Sequence, residues 1–312
     1  MVEFVTADEA SPNAFLAVSA ESPFQPQLQD YLGSLLRQSC TRPEWCLIGQ
    51  EAGAPVARAA LWTVSGQTVP TDVVLIDTDW DDEGLASGRA LMARLHELAR
   101  ELGAEALTHH IDSPPVAPQY QEHEEARVRL LEESGYTLLR DGLRWRYSDS
   151  PREEHEDDSL DFRAVSAVGE DAFVAAIAAT YEGTRDSWIS QSMEEEGVLG
   201  AARADFKDAQ TLEYQPDWWE LAYTSDDDLA GVIMAAKNPS TAVVWYVGVV
   251  PEQRGRGLAT RLVRRGTRRL LDAGVEEICG DCDLDNVGMV KAFERAGYEN
   301  FARRRSYRLA LT

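Results

Sequence analysis

The sequence predicts an α+β fold of layered α/β type, built twice from one unit along 312 residues. Three observations carry that reading. Leu131-Glu-Glu-Ser-Gly-Tyr-Thr-Leu-Leu-Arg140 is echoed by Phe293-Glu-Arg-Ala-Gly-Tyr-Glu-Asn-Phe-Ala302, and both lead to a strand rich in Arg and aromatics, Leu143–Tyr147 and Arg304–Leu309. The long-helix segments of the two halves align as well, with Gly103 matching Gly274. Between the halves, Ser150-Pro-Arg-Glu-Glu-His-Glu-Asp-Asp-Ser159 is an acid-heavy run of linker type. Two copies of one unit is the economical explanation, giving expected domains at 1–148 and 161–312 with a linker at 149–160.

In chain order, the first half predicts helices over Ala10–Ala20 and Gln27–Gln38, then strands over Trp45–Glu51, Val56–Val64 and Val73–Asp77. A long helix runs from Leu85 to Leu102 and stops at Gly103. The strand Ala106–Ile111, a loop with Pro114, Pro115 and Pro118, and the helix Glu124–Ser134 follow. The second half predicts helices over Val168–Gly183 and Ser190–Lys207 and strands over Trp219–Thr224, Leu229–Ala236 and Thr241–Val250. The last strand is almost wholly apolar and β-branched, as expected when both faces are covered.

Thirty basic residues against fifty-four acidic ones give a net charge of −24. Such a field disfavours nucleic acid and anionic lipid and attracts cationic ligands. No apolar run approaches the length that spans a bilayer. The opening Met-Val-Glu-Phe-Val-Thr-Ala-Asp-Glu lacks a basic and an apolar leader region, so the expected location is cytoplasmic. Cys279-Gly-Asp-Cys282 has metal or redox spacing but lies on a predicted strand, where residues three apart face opposite ways. Buried thiols and no metal are therefore expected for Cys40, Cys46, Cys279 and Cys282.

The stretch Val247-Gly-Val-Val-Pro-Glu-Gln-Arg-Gly-Arg-Gly-Leu-Ala-Thr-Arg-Leu262 reads as strand end, Gly- and Arg-rich turn, and helix start. A helix N-terminus preceded by glycine gathers unpaired N–H groups at the positive end of the helix dipole, and so can hold a phosphate. Arg254 and Arg256 add charge. A dinucleotide-binding βαβ unit fits less well, since it needs three glycines at its own spacing and a later acidic residue.

Arg254-x-x-Gly257-x-Ala259, with the strand before it and the Asn286 to Tyr298 helix after it, resembles the signature of the GNAT superfamily of N-acetyltransferases. The doubled layout is similar to tandem GNAT proteins, including mycothiol synthase-like and antibiotic-producer acetyltransferases. The resemblance implies a mixed central sheet flanked by helices in each copy, and acetyl-CoA as co-substrate. It places the cofactor against Val247, Val249, Arg254, Gly255, Arg256, Gly257, Leu258, Ala259, Thr260, Asn286 and Phe293. Asn286 can also cap its helix. The later arginines, Arg261, Arg264, Arg265, Arg268 and Arg269, find few acids on their own helix. One or two are expected near the cofactor's 3′-phosphate or the acidic first copy.

Two of the family's usual players are missing. Phe293 stands where a tyrosine acid is frequent, and Val243 where an acidic residue often sits. The candidates left for proton handling are Asp281, Asp283 and Glu220, with Tyr246 as a helper, while Trp218, Trp219 and Trp245 are candidates for the substrate side. In the first copy the corresponding turn is Trp80-Asp-Asp-Glu-Gly-Leu-Ala-Ser, with carboxylates where a diphosphate would have to sit. The expectation is acetylation of a primary amine on a small, cationic molecule by the C-terminal copy, in a monomer or homodimer. An acyl-CoA-binding sensor with little turnover and a protein-lysine acetyltransferase are the alternatives.

Overall fold

The computed structural model describes residues 2–10, 12–19, 21–148, 160–238 and 241–311; of the expected linker, only Leu160 lies within them. The chain forms two compact units, residues 1–140 with 304–312, and residues 141–303.

Unit 1 begins with β1 (Glu3–Thr6), α1 (Pro12–Leu16), α2 (Gln25–Arg37), β2 (Cys46–Glu51) and β3 (Ala54–Trp62). It continues through β4 (Asp72–Thr78), α3 (Asp82–Glu101), β5 (Ala106–Ser113), α4 (Glu124–Glu133) and the start of β6 (Thr137–Ser148). Its sheet is mixed: β1 to β4 are antiparallel neighbours, whereas β4 and β5 run parallel. Strand alternation sorts the core into two layers. Leu47, Ala57, Ala59 and Leu61 join Leu91, Met92 and Leu95 of α3 on one side. Cys46, Ile48 and Ala60 join Leu28, Leu32 and Leu35 of α2 on the other.

Unit 2 contains β7 (Asp161–Ala164), α5 (Val165–Val168), α6 (Glu170–Thr180), α7 (Ser187–Gln210), β8 (Trp219–Tyr223) and β9 (Leu229–Lys237). Next come β10 (Ala242–Val249), α8 (Leu258–Asp272), β11 (Glu277–Asp283), α9 (Val287–Ala296) and the start of β12 (Glu299–Ala310). Its sheet is mixed in the same way, with β7 to β10 antiparallel and β10 parallel to β11. The two units thus repeat one mixed-sheet plan with flanking helices, and the α+β expectation holds.

The expected boundary at residue 148 is displaced. Residues 142–148 of β6 pair along β11, from Gly142↔Asp283 to Ser148↔Glu277. Residues 304–311 belong to unit 1, where Arg304 makes a two-point ion pair with Asp112 at 2.8 and 2.7 Å and Arg100 donates to the Leu311 carbonyl at 2.8 Å. Each copy's last strand therefore completes the other unit, because a strand ladder is satisfied by whichever edge lies alongside.

Smaller differences have local causes. The helix expected over Ala10–Ala20 is only α1 with a 3₁₀ turn at Ala17–Ser19. Strands β1 and β7 are four-residue edges whose alternation is too short to read alone. Helix α7 is broken at Gly197, where φ is 74°.

Candidate active site

Strands β10 and β11 are in parallel register at Ala242↔Ile278 and Val243↔Cys279, whereas β10 pairs with β9 as far as Val249↔Gly231. Past Val243 the β10 edge facing β11 opens. A bulge between Val244 and Tyr246 turns Trp245 outward, and it is 42% exposed. A cavity of about 740 Å³ lies in this opening, bounded by Val244–Val249, Arg254–Thr260 (except Arg256), α9 and the loop from Thr180 to Ile189.

The turn at one end of the cavity is built as expected. After β10, Pro251–Gln253 form a 3₁₀ turn; then Gly255 and Gly257 take φ values of +79° and +78°, in the left-handed region that side chains rarely adopt. The N-cap residue of α8 is Gly257, which has no side chain to cap with, and among the described residues nothing lies within 4 Å of either glycine's Cβ position. A fifteen-residue helix has no intrahelical partner for its first N–H groups and a positive dipole end at its start, so this terminus suits an anion. These groups and the space before them fit the diphosphate of a CoA thioester. Lys291 and Arg295 of α9 also line the cavity. Asn286 lines it and caps α9, accepting from the Met289 N–H at 3.3 Å, so both expected roles are available to it.

Arg254 is placed differently from the simple expectation. Its guanidinium lies back on backbone carbonyls, with Thr180 at 2.9 Å, Val249 at 3.1 Å and Gly183 at 3.5 Å. Arg256 donates to the Gln253 side chain at 2.9 Å and is not part of the cavity wall. Of the later arginines, Arg265 and Arg269 grip Glu220, Arg268 pairs with Asp272, and Arg264 donates to the Arg295 carbonyl. The acid that sequence spacing could not supply comes from β8, a neighbour only after folding.

The structure separates the four proton-handling candidates. Asp281 and Tyr246 line the cavity; Glu220 and Asp283 do not. Glu220 is 2% exposed and bonded by Arg265 at 2.7 and 2.8 Å and by Arg269 at 2.7 Å. Burial pushes its carboxyl pKa up, but the two guanidinium groups outweigh that and hold it below the usual range. Asp283 is buried and accepts from the Ser187 N–H at 2.9 Å and hydroxyl at 2.5 Å, which ties down the start of α7. Glu220 thus anchors α8 and Asp283 anchors α7, and neither carboxylate lines the cavity. Asp281 is exposed, with Arg144 at 3.7 Å. Tyr246 bonds the Thr180 hydroxyl, and burial raises its phenol pKa far above the ordinary value, so it stays protonated.

Phe293 also borders the cavity, yet it is 1% exposed. Its ring stacks on Trp145 at 5.8 Å and fits over Gly280, where a Cβ would lie 2.6 Å from the ring. Trp218 and Trp219 are core residues, so only Trp245 of the three faces the cavity. Cys279 and Cys282 are buried thiols, and Cys282 accepts from the Trp145 indole at 3.3 Å.

Sequence reasoning missed Thr180, Thr184, Arg185, Asp186 and Ile189. The readable signal was Gly183 followed by the N-cap Asp186, whose carboxylate accepts from the Trp188 and Ile189 N–H groups.

The corresponding turn of unit 1 differs. Asp81 caps α3 with its own carboxylate, accepting from the Gly84 N–H at 2.8 Å, and Asp82 and Glu83 follow in the first turn. The opening between β4 and β5 holds glutamine side chains: Gln119 accepts from the Leu75 N–H at 2.7 Å and Gln121 from the Asp112 N–H at 3.3 Å.

A glycine-led helix terminus beside an opened parallel strand pair provides an anion site joined to a cleft. The acetyltransferase (GNAT) family model matches residues 133–298, more than half of the chain, and the chain belongs to that family. An acetyltransferase of Sodalis glossinidius is 30% identical over 88 residues, 28% of this chain and 61% of that protein. The mycothiol acetyltransferase of Corynebacterium aurimucosum is 34% identical over 64 residues, 20% of this chain and 21% of that protein. Both matches span less than two thirds of the relative's own length. Among solved structures, a GCN5-related N-acetyltransferase from Sphaerobacter thermophilus superposes with a TM-score of 0.61 at 18% identity, covering 99% of this chain and 96% of that one. A tandem GNAT protein from the clavulanic acid biosynthesis pathway gives 0.52 at 18% identity, covering 100% and 99%. At that identity the likeness shows the fold.

Proposed function

We propose that unit 2 binds acetyl-CoA and transfers its acetyl group to a primary amine of a small, cationic molecule. The observation that carries this is the uncapped glycine turn at Gly255–Gly257 opening onto a cavity of about 740 Å³. The α8 amides would hold the diphosphate, with Lys291 and Arg295 as cationic neighbours. Val247 to Val249 would run along the pantetheine, with an N–H on the strand edge away from β9 facing the thioester oxygen. Asp281 and Asp186, on other parts of the wall, favour a positively charged acceptor. In the transfer, the neutral amine bonds to the acetyl carbon, the carbon–sulfur bond breaks, the amine loses one proton and the thiolate gains one. Asp281, a carboxylate of the cavity wall, would take that proton, directly or through water, while Asp186 caps α7. Phe293 has no proton to give, so the thiolate leaves unassisted or takes a proton from solvent. At a thiol pKa of about 8.5, a thiolate is a tolerable leaving group.

In this reading unit 1 is a non-catalytic companion, since Asp81 fills its helix terminus and Gln119 and Gln121 fill its strand opening. A cytoplasmic protein is proposed; among the described residues no helix is long and apolar enough to cross a membrane.

Calorimetry with acetyl-CoA, followed by thiol release across a panel of small amines, tests the proposal. Micromolar binding with thiol release from a cationic primary amine is expected. The buried, hydroxyl-free Phe293 favours a second reading, an acyl-CoA-binding sensor. Thermal stabilisation by CoA without thiol release from any amine would select it, and faster turnover of lysine peptides would select a protein substrate.

A further inference from the structure

We infer that Thr180 is a positioning residue that fixes the direction of the Tyr246 hydroxyl, so that the phenol oxygen offers a lone pair to an N–H of the acceptor amine. The inference rests on the acetyl-transfer reading of unit 2 and adds a specificity element to it.

Thr180 ends α6 and is 4% exposed. Its hydroxyl lies 2.7 Å from the Ile177 carbonyl, a group that can only accept. A threonine hydroxyl has one proton, and this contact uses it. The same oxygen is bonded to the Tyr246 hydroxyl, so Tyr246 must be the donor in that bond. Its own lone pairs are left over, and they are what it can present to a molecule in the cavity that it lines.

The position is constrained by Gly248. A Cβ there would clash with Thr180 Oγ1 and come within 2.6 Å of the Tyr246 hydroxyl. Both hydroxyls therefore rest on β10 within its opened stretch, where the thioester is proposed to lie. An attacking primary amine has two N–H groups. One can donate to Tyr246 while the other leaves as the departing proton. A secondary amine has one N–H and cannot do both. Tyr246 is thus an orienting acceptor that selects primary amines.

The test uses full-length wild type, Thr180→Val, Thr180→Ser, Tyr246→Phe and the Val/Phe double variant. Kinetics are read with acetyl-CoA and the best primary amine of the panel, beside its N-methyl derivative. Thr180→Val is expected to lower kcat about tenfold, the scale of one hydrogen bond. It should leave the acetyl-CoA KM unchanged and reduce the primary-over-secondary preference. Thr180→Ser should restore both, and the double variant should match Tyr246→Phe. Wild-type kinetics in Thr180→Val, or additive losses in the double variant, would overturn the inference. The tyrosine Fermi-doublet ratio in Raman difference spectra (wild type minus Tyr246→Phe) reads the same bond without turnover. A donor signature lost in Thr180→Val is expected, and an unchanged signature overturns it. If acetyl-CoA binds but no amine releases thiol, the acetyl-transfer reading fails and the Raman result still decides the hydroxyl direction.

Discussion

The Arg254 guanidinium donates to the Thr180 main-chain carbonyl at 2.9 Å, while the hydroxyl of the same threonine bonds Tyr246. One residue at the end of α6 thus joins the glycine turn to the β10 side of the cavity. Arginine can hold the Thr180, Val249 and Gly183 carbonyls together because its fork carries several donors in one plane. Arg254→Ala is expected to weaken acetyl-CoA about tenfold or more, and to speed amide exchange at residues 183–189. Calorimetry paired with hydrogen exchange checks both. A change in affinity with no change in exchange would mean that Arg254 contacts the ligand without bracing the loop.

Gly257 has φ +78° with open space at its Cβ position, so substitution there costs backbone strain rather than a clash. For Gly257→Ala the penalty is about 1–2 kcal/mol. The melting temperature should fall by a few degrees, and acetyl-CoA affinity by more than that strain alone explains, because the turn geometry is the binding site. Unchanged affinity in a folded variant would remove the anion-site reading.

Gly280 gives the Phe293 ring its place. Gly280→Ala overpacks this contact and is expected to destabilise by about 1–3 kcal/mol in urea titration. Adding Phe293→Leu should recover part of the loss, since the smaller side chain makes room for the new methyl group.

Glu220→Gln separates architecture from chemistry. It leaves Arg265 and Arg269 without their buried partner and should cost about 2 kcal/mol, after allowance for the partial exposure of the arginines. The folded pKa of Glu220 is depressed, so its contribution is present above the ordinary carboxylate range and is lost as pH falls through the folded value. The gap between wild type and variant should therefore close in acid. Turnover per folded molecule should be retained, which a catalytic Glu220 would not allow.

Asp205 gives the opposite sign. Burial pushes its pKa up to about 6, against the Tyr181 hydroxyl bond, with Asp208, Asp186 and Glu196 adding to the rise. A raised carboxyl favours folding while protonated, so that contribution is present below the unfolded pKa and is lost as pH rises through about 6. Asp205→Asn keeps an acceptor for Tyr181 and removes the buried charge. It should be more stable than wild type at pH 7.5 by about 1–3 kcal/mol, with little difference at pH 4. Chemical denaturation at the two pH values reads this directly.

The sequence by itself determined the doubled α+β plan, the glycine turn at Gly255 and Gly257, the Asn286 cap and the acidic turn of the first copy. These depend on local chemistry: a missing Cβ, a capping side chain, or charges packed into four residues are visible wherever the chain goes. Only the tertiary structure decided that residues 141–148 belong to the second unit and residues 304–311 to the first, because a strand edge does not name its neighbour. It also decided that Glu220 anchors the α8 arginines, that Asp283 holds the start of α7, and that Thr180 stands behind Tyr246. Those pairings join residues 45 to 96 positions apart. Which acid is a base and which is a brace depends on what packs beside it, and spacing along the chain does not carry that information.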